Sequence, residues 1–204
     1  METDTDLDPG APRVALESLD GAAAAAANYG LDGRGDVSGL ELPGQRRRVD
    51  VDMAKALAFL DACVTSHPRV QYKLGGKIKA GQVPGRDFTG VDCSGFVRET
   101  LRRSTDLGGS FPDGSVVQHD WVKAQGFEHT TIAAAKDASD IVRIAFLSPG
   151  DSPSGIGHVV LIHRGKTLES HGGVGPDSRP WTAAGWQAHA SVYVLDPATA
   201  ANVG

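Results

Sequence analysis

The pattern of apolar and polar positions predicts helices in the first half of the folded region and strands in the second. Four apolar residues at helical spacing predict a first helix: Met53, Leu57, Leu60 and Val64. Cys63 lies close to that face and is interpreted as a small core residue. The helix should end before Pro68, because the residue that precedes a proline is disfavoured in helical geometry.

Two further helices are predicted downstream. Asp92 is a suitable N-cap, since its carboxylate can accept a hydrogen bond from the first turn, and the apolar residues that follow are Phe96, Val97 and Leu101. A shorter helix is predicted over 115–124, and the residues expected to face inward are Val117, Trp121 and Ala124. The stretch from Tyr72 to Gly90 is too polar and too rich in glycine for regular structure.

Period-two alternation predicts strands in the second half. Val142, Ile144 and Phe146 alternate with other residues before a turn at 149–151, and a second strand follows over 156–163. A tight hairpin around Gly165 leads into a strand at 167–170, and a last strand is expected over 192–195. Helices followed by antiparallel strands indicate the α+β class.

The N-terminal region differs in composition from the rest of the chain. Residues 1–48 are rich in glycine and alanine and predict a flexible tail, whereas residues 49–204 predict the folded domain. The first eight residues are acidic and polar, so no signal peptide is visible. The arginines at 46–48 are interpreted as a solvated junction because basic tracts that bind nucleic acid are longer.

Composition excludes several classes of protein. The chain has 204 residues, 40% of them hydrophobic and 22% charged, which is typical of a globular protein. A net charge of −5 gives no basic footprint for nucleic acid, and no apolar run is long enough to span a membrane. The two cysteines, Cys63 and Cys93, are too few for a disulfide scaffold or a thiolate zinc site, but they leave a reactive thiol open.

Cys93 is the candidate nucleophile. A cysteine attacks as the thiolate, which a helix N-terminus and a neighbouring imidazolium both favour. Cys93 directly follows the predicted cap Asp92 and opens the predicted helix, while Ser94 and Gly95 are small and leave the sulfur approachable.

His158 is the candidate base among seven histidines. It follows Gly157 in the most strand-like segment, where an imidazole is either a satisfied core group or a catalytic one. Gly165 lies midway between positions 158 and 171, so a hairpin can bring His171 near His158 in a thiol–imidazole–imidazole chain. His158, His163 and His171 could in principle bind zinc, but they lack the helical i, i+4 spacing of a zinc peptidase motif. No metal site is therefore predicted.

Several motifs occur in the order found in the NlpC-type family of bacterial cell-wall cysteine peptidases, which the chain resembles over about residues 50–196. The matching segments are Tyr72–Gly76, Asp92–Phe96, Phe111–Pro112, Pro149–Asp151, Gly157–Val159 and Glu169–His171. The nucleophile motif Asp-Cys-Ser-Gly-Phe is the most specific of them, and the ordered set is stronger than any single element.

The resemblance implies a papain-like core with N-terminal helices packed on an antiparallel sheet. It implies a peptidoglycan endopeptidase that hydrolyses an amide bond in stem peptides, most commonly the γ-D-glutamyl–diamino acid bond, without a metal or organic cofactor. Cys93 would attack the carbonyl, His158 would transfer the proton, and His171 would orient His158. The resemblance also makes Tyr72 and the backbone amide of Cys93 candidates for stabilising the oxyanion. It places Asp92 and Ser94 at positions that the family uses to bind a free amino end of a stem peptide.

Some features depart from the family pattern. Ser152–Gly155 replaces the usual acidic and hydrophobic run before the histidine strand, and Gln125–Ile141 is expected to be a cleft-lining insertion. Two alternatives stay open: an amidase or acyltransferase of the same core that acts on another substrate, and an inactive binding module. The presence of all three polar residues argues against the second alternative.

The expected substrate lies outside the cytoplasm, in the periplasm or beyond the cell. Because no export signal is visible, the expectation is delivery as an effector by a secretion system, a place on a phage-like particle, or loss of a leader. The expected partners are the stem peptide and a delivery or inhibitor protein.

Overall fold

A computed structural model describes residues 47–197. The predicted tail over 1–48 falls almost wholly on residues outside this range and stays a prediction, as does the domain boundary. None of the helices within the described range has the length and apolar composition needed to cross a bilayer.

The described chain contains α-helices in its first half and most of its strands in its second. The α-helices are α1 (Met53–Thr65), α2 (Cys93–Ser104) and α3 (Ser115–Ala124). The strands are β1 (Gln71–Tyr72), β2 (Gly90–Val91), β3 (Glu128–Thr130), β4 (Val142–Leu147), β5 (His158–His163), β6 (Lys166–His171), β7 (Gly175–Asp177) and β8 (Ser191–Asp196). Short 3-10 helices lie at Ala133–Lys136, Pro149–Asp151 and Gly185–His189.

Six strands form one antiparallel sheet in the order β3-β8-β4-β5-β6-β7, and β1 and β2 form a separate parallel pair. Helix α2 packs on β5 and β6, and α1 packs on α2. This arrangement confirms the predicted α+β class with helices against an antiparallel sheet.

The sheet is covered on both faces, which explains why its central strands are mostly apolar; the buried Arg143 of β4 is paired with Asp137. All six residues of β4 are buried. Alternate positions such as Ile144 and Leu161 face the core beneath the helices, while Val160 and Ile162 face a second cluster around Trp181. The predicted division of β5 into two faces is therefore confirmed, and residues 159–162 are buried on both faces.

Helix bounds follow the prediction, and Phe96, Val97 and Leu101 of α2 are buried as predicted, but the buried faces of α1 and α3 match the prediction only in part. In α1 the predicted face is wrong for Leu57 and Val64, which are exposed, because the helix turns Ala56 and Phe59 inward instead. Phe59 stacks on Phe96 of α2, and this tertiary contact decides the orientation. Cys63 is fully buried, as predicted.

Helix α3 shows the same difference. Its bounds match, and Trp121 packs against the core as predicted, but the fully buried residues are Gln118 and Val122, whereas Ala124 is exposed. Gln118 faces inward because its side-chain amide donates to the backbone carbonyl oxygens of Ser94 and Pro112. A polar residue thus ties α3 to the start of α2.

Two irregular segments contain more structure than expected. Between Tyr72 and Gly90 the chain is mostly loop, but its ends pair as β1 and β2. The segment 125–141 forms the edge strand β3 and a 3-10 turn, and the indole N–H of Trp181 donates to the carbonyl of Ile132. This segment therefore covers the sheet edge and second face, and the expectation that it lines the cleft is wrong.

Candidate active site

Cys93 is the first residue of α2 and is 5% exposed. The N-cap predicted at Asp92 is present, since Oδ1 of Asp92 accepts from the backbone N–H of Gly95 at 2.6 Å. At this first helical position the backbone N–H of Cys93 has no intrahelical acceptor, and the positive end of the helix dipole lies at the sulfur. The sulfur lies 4.0 Å from the carbonyl oxygen of Gly157, just before β5.

The start of α2 is anchored to the sheet through β2. The hydroxyl of Ser170, in β6, donates to the carbonyl oxygen of Val91 at 2.9 Å. Gly95 fits closely here, because a Cβ at this position would lie 2.7 Å from the carbonyl oxygen of Gly76. These contacts fix the position of Cys93 relative to the sheet.

His158 opens β5 and faces Cys93. Its Nε2 donates to Oε2 of Glu169 at 2.8 Å, and the ring interacts electrostatically with the side chain of Cys93. Since Nε2 is engaged by Glu169, Nδ1 is the ring nitrogen left available to the sulfur. The edge-to-face indole of Trp186, with ring centroids 5.1 Å apart, limits rotation of the imidazole.

Glu169, in the middle of β6, is fully buried and fully satisfied. Arg179 forks onto it, with Nε donating to Oε1 at 3.0 Å and Nη2 donating to Oε2 at 2.7 Å. The hydroxyl of Thr167 donates to Oε1 at 2.6 Å. A buried carboxylate is tolerated only when it is paired and hydrogen-bonded, and here every contact also fixes its direction.

The two groups shift each other's ionisation. Burial alone would lower the pKa of His158, but its interactions with Cys93 and Glu169 outweigh this and raise the pKa to about 9. Burial alone would raise the pKa of Glu169, but the donors His158, Arg179 and Thr167 lower it to about 2. At neutral pH the site therefore holds an imidazolium against a carboxylate.

His171 does not take the position expected for the third residue. Pairing between β5 and β6 runs from His163–Lys166 to Leu161–Leu168, and β6 then pairs with β7, so positions 158 and 171 do not pair. The ring of His171 instead lies 3.4 Å from the carboxylate of Asp177. Glu169, two residues earlier on the same face, orients His158, and the role expected for His171 is corrected accordingly.

A cleft of about 410 Å³ opens beside His158. Its lining includes Tyr72, His158, His171, Arg179 and Trp186. His171 and His158 thus share one cleft without bonding to each other.

Tyr72 occupies the wall of that cleft beside the nucleophile. Its position follows from the register of β1 against β2, where it pairs with Val91. Burial raises the pKa of Tyr72 to about 12, and the charges of Cys93 and Asp92 act in the same direction. The phenol therefore stays protonated and is available as a donor towards the cleft.

Asp92 and Ser94, which the resemblance assigned to a substrate's amino end, already bind an ammonium group of the chain itself. Nζ of Lys77 donates to both carboxylate oxygens of Asp92, at 2.9 and 3.2 Å, and to the hydroxyl of Ser94 at 2.9 Å. Both acceptors are buried. Lys77 therefore occupies the position expected for the free amine.

Three contributors to this site were missed from sequence: Lys77, Glu169 and Arg179. For Glu169 a signal was present, since it lies next to Leu168 in the strand predicted at 167–170, where a buried carboxylate has to be paired. Lys77 and Arg179 lie in loops, and no local pattern pointed to their partners.

Other titratable residues lie outside the site. His119 contacts the hydroxyl of Tyr193 at 3.0 Å, and His163 lies 3.5 Å from Asp140. Burial raises the pKa of Cys63 to about 12, as for an inert core thiol. Within residues 47–197, no group of three or more histidine, cysteine or acidic side chains is placed to hold a metal ion.

No protein-family model matches the chain. A search of curated proteins finds no match either. A function is therefore inferred from the geometry of Cys93, His158 and Glu169 and from the motifs around them.

Proposed function

We propose that the protein is a cysteine peptidase with a papain-like, NlpC-type core that hydrolyses an amide bond in peptidoglycan stem peptides. The observation that carries the proposal is the position of His158, whose ring is hydrogen-bonded to the buried carboxylate of Glu169 and whose neighbour Gly157 has its carbonyl oxygen 4.0 Å from the sulfur of Cys93. A nucleophile, a base and a group that orients the base are the three parts that covalent acyl transfer needs.

The first half of the reaction forms a thioester. The sulfur of Cys93 attacks the amide carbonyl carbon, and the oxyanion that develops receives hydrogen bonds from the backbone N–H of Cys93 and the phenol of Tyr72. The imidazolium of His158 then gives its proton to the amide nitrogen. The carbon–nitrogen bond breaks and the amine departs, leaving the acyl group on sulfur.

The second half restores the enzyme. Neutral His158 takes a proton from a water molecule, and the resulting hydroxide oxygen attacks the thioester carbon. The carbon–sulfur bond breaks, the acid product leaves, and the thiolate and imidazolium are regenerated. Glu169 keeps its charge throughout and holds the ring with Nδ1 towards the sulfur.

The substrate class rests on the resemblance of the ordered motifs, with the nucleophile motif at Asp92–Phe96 as the most specific. The γ-D-glutamyl–diamino acid bond is the bond proposed. The site of action is then the periplasm or the outside of the cell, and a secretion system or phage-like particle is the proposed means of delivery.

The test is digestion of purified sacculi and soluble muropeptides by the wild type and by Cys93→Ala. Losing the nucleophile should reduce cleavage by about 10⁴-fold or more. Mass spectrometry of the products identifies the bond and separates hydrolysis from acyl transfer. Cys63→Ala is the matched control, since it removes the other, buried thiol and should retain cleavage.

Equal cleavage by the wild type and Cys93→Ala would contradict the proposal. A thiol-reactive probe gives a second readout that needs no substrate. Cys93 should react near neutral pH faster than free cysteine, and reaction no faster than this would favour the inactive binding module.

A further inference from the structure

A second cavity, of about 600 Å³, adjoins the catalytic cleft. It lies against the loop that connects β1 to β2, and three of its lining residues are Lys73, Lys77 and Lys79. We call it the lysine pocket. Tyr72 lines both the lysine pocket and the cleft beside His158, so the two spaces are neighbours at this side chain.

The lysine pocket carries positive charge although the whole chain is acidic. Among residues 47–197, the ammonium groups of Lys73 and Lys79 have no acidic partner. The pocket's acidic residue, Asp87, forms a bidentate ion pair with Arg86, which donates two hydrogen bonds of 3.0 and 2.9 Å to its carboxylate. Uncompensated charge of one sign inside a concave surface concentrates ligands of the opposite sign.

Lys77 is a fixed cation at the boundary of this pocket. Its ammonium is held by Asp92 and Ser94 and so has a defined position, unlike an ordinary surface lysine. Asp92 is thereby neutralised and does not repel an anion that enters the pocket. Lys77 also excludes a substrate amine from this position, since its own ammonium is already there.

The backbone around the pocket is also built for close packing. A Cβ at Gly76 would lie 2.8 Å from the carbonyl oxygen of Lys73, and a Cβ at Gly90 would lie 2.8 Å from Cβ of Lys73. Any side chain at these positions would displace Lys73. The two glycines therefore keep its ammonium at the pocket.

We propose that the lysine pocket binds a carboxylate-bearing part of the substrate next to the scissile bond, so that the enzyme selects acidic peptides without a free amino end at this position. The inference rests on the proposed peptidase function and specifies its substrate. Lys73 and Lys79 provide the selecting charges, and Lys77 closes the site to amines.

The experiment measures binding by titration calorimetry to the full chain carrying Cys93→Ala, which does not turn substrate over. The probes are a soluble muropeptide with a free α-carboxylate and the same muropeptide with that carboxylate converted to a primary amide. The acid should bind about tenfold more tightly than the amide, as expected for charge-assisted hydrogen bonds. Lys73→Gln with Lys79→Gln should abolish this preference.

The matched control is Lys136→Gln with Lys166→Gln, which removes the same charge from exposed lysines outside the pocket and should keep the preference. Equal binding of acid and amide to the parent, binding of neither, or a preference that survives in Lys73→Gln with Lys79→Gln would overturn the proposal. Cleavage by the wild type distinguishes failure of the lysine-pocket proposal from failure of the proposed function. If only the lysine-pocket proposal is wrong, the wild type cleaves both muropeptides with equal KM.

Discussion

His158 and Glu169 lie on the two strands of one hairpin, with Nε2 of the ring donating to Oε2 of the carboxylate at 2.8 Å. The strands are joined by Arg164 and Gly165, both in the left-handed region, as a tight two-residue turn requires. The base and the group that orients it are therefore held by a short, local piece of the sheet. Their relative geometry does not depend on the helices.

Glu169→Gln should lower kcat/KM by about 10²–10⁴-fold, because an amide cannot stabilise the imidazolium as a carboxylate does. The variant keeps nearly the same shape, and circular dichroism should show that it stays folded. His171→Ala is the control from the same face of β6, and its loss should be far smaller. A larger loss of kcat/KM for His171→Ala than for Glu169→Gln would indicate that His171, and not Glu169, orients the ring of His158.

Activity should fall as the pH rises through about 9, the value to which Cys93 and Glu169 raise the pKa of His158 against burial. Above this pH the ring loses the proton that the leaving amine needs. A profile of kcat/KM over about pH 6 to 10 tests this. The alkaline limb should move to lower pH in Glu169→Gln, since the carboxylate that raises the pKa is gone. An unmoved limb would mean that another group titrates.

Arg179→Gln should affect both stability and the acid limb of activity. Glu169 would lose two donors and become a partly unpaired buried charge, which costs about 2 kcal/mol because Arg179 is itself partly exposed. The pKa of Glu169, now about 2, should rise, so that activity is lost at a higher pH on acidification. Urea unfolding and pH profiles measure the two effects. Arg164→Gln, an exposed arginine in the same hairpin, should change neither.

Gly157→Ala should reduce activity by about tenfold or more, because small shifts of a catalytic group are costly. A Cβ at this position would lie 2.7 Å from the hydroxyl oxygen of Ser115, at the start of α3, and would push the beginning of β5 away. The double variant with Ser115→Ala should recover part of the loss. If the Ser115→Ala change restores nothing, the clash is not the cause.

Features fixed by local chemistry were predictable from the sequence. Asp92 marks the start of α2 because a carboxylate caps the first turn, and Pro68 limits α1 because it excludes helical geometry before it. The Arg164–Gly165 turn was predicted for the same kind of reason. The candidate nucleophile and base, Cys93 and His158, followed from these boundaries and from the family resemblance.

Features that depend on tertiary contacts were not predictable. The buried face of α1 is set by Phe59 against Phe96, and spacing alone suggested a different face. Glu169 and not His171 contacts His158 because β6 pairs with β5 only as far as Leu168 and with β7 from Glu169 onward. No short sequence pattern specifies this change of partner. Lys77 reaches Asp92 from a loop, across 15 positions of sequence.

The reacting sulfur begins a helix and the proton-handling ring begins a strand, and the two meet only where these layers pack together. In an unfolded chain these layers are not packed together, so the sulfur of Cys93 and the ring of His158 are not in contact. Under the proposed peptidase function, activity should appear only once α2 has docked on the sheet. A chain kept unfolded before the proposed export would then not damage the compartment that made it.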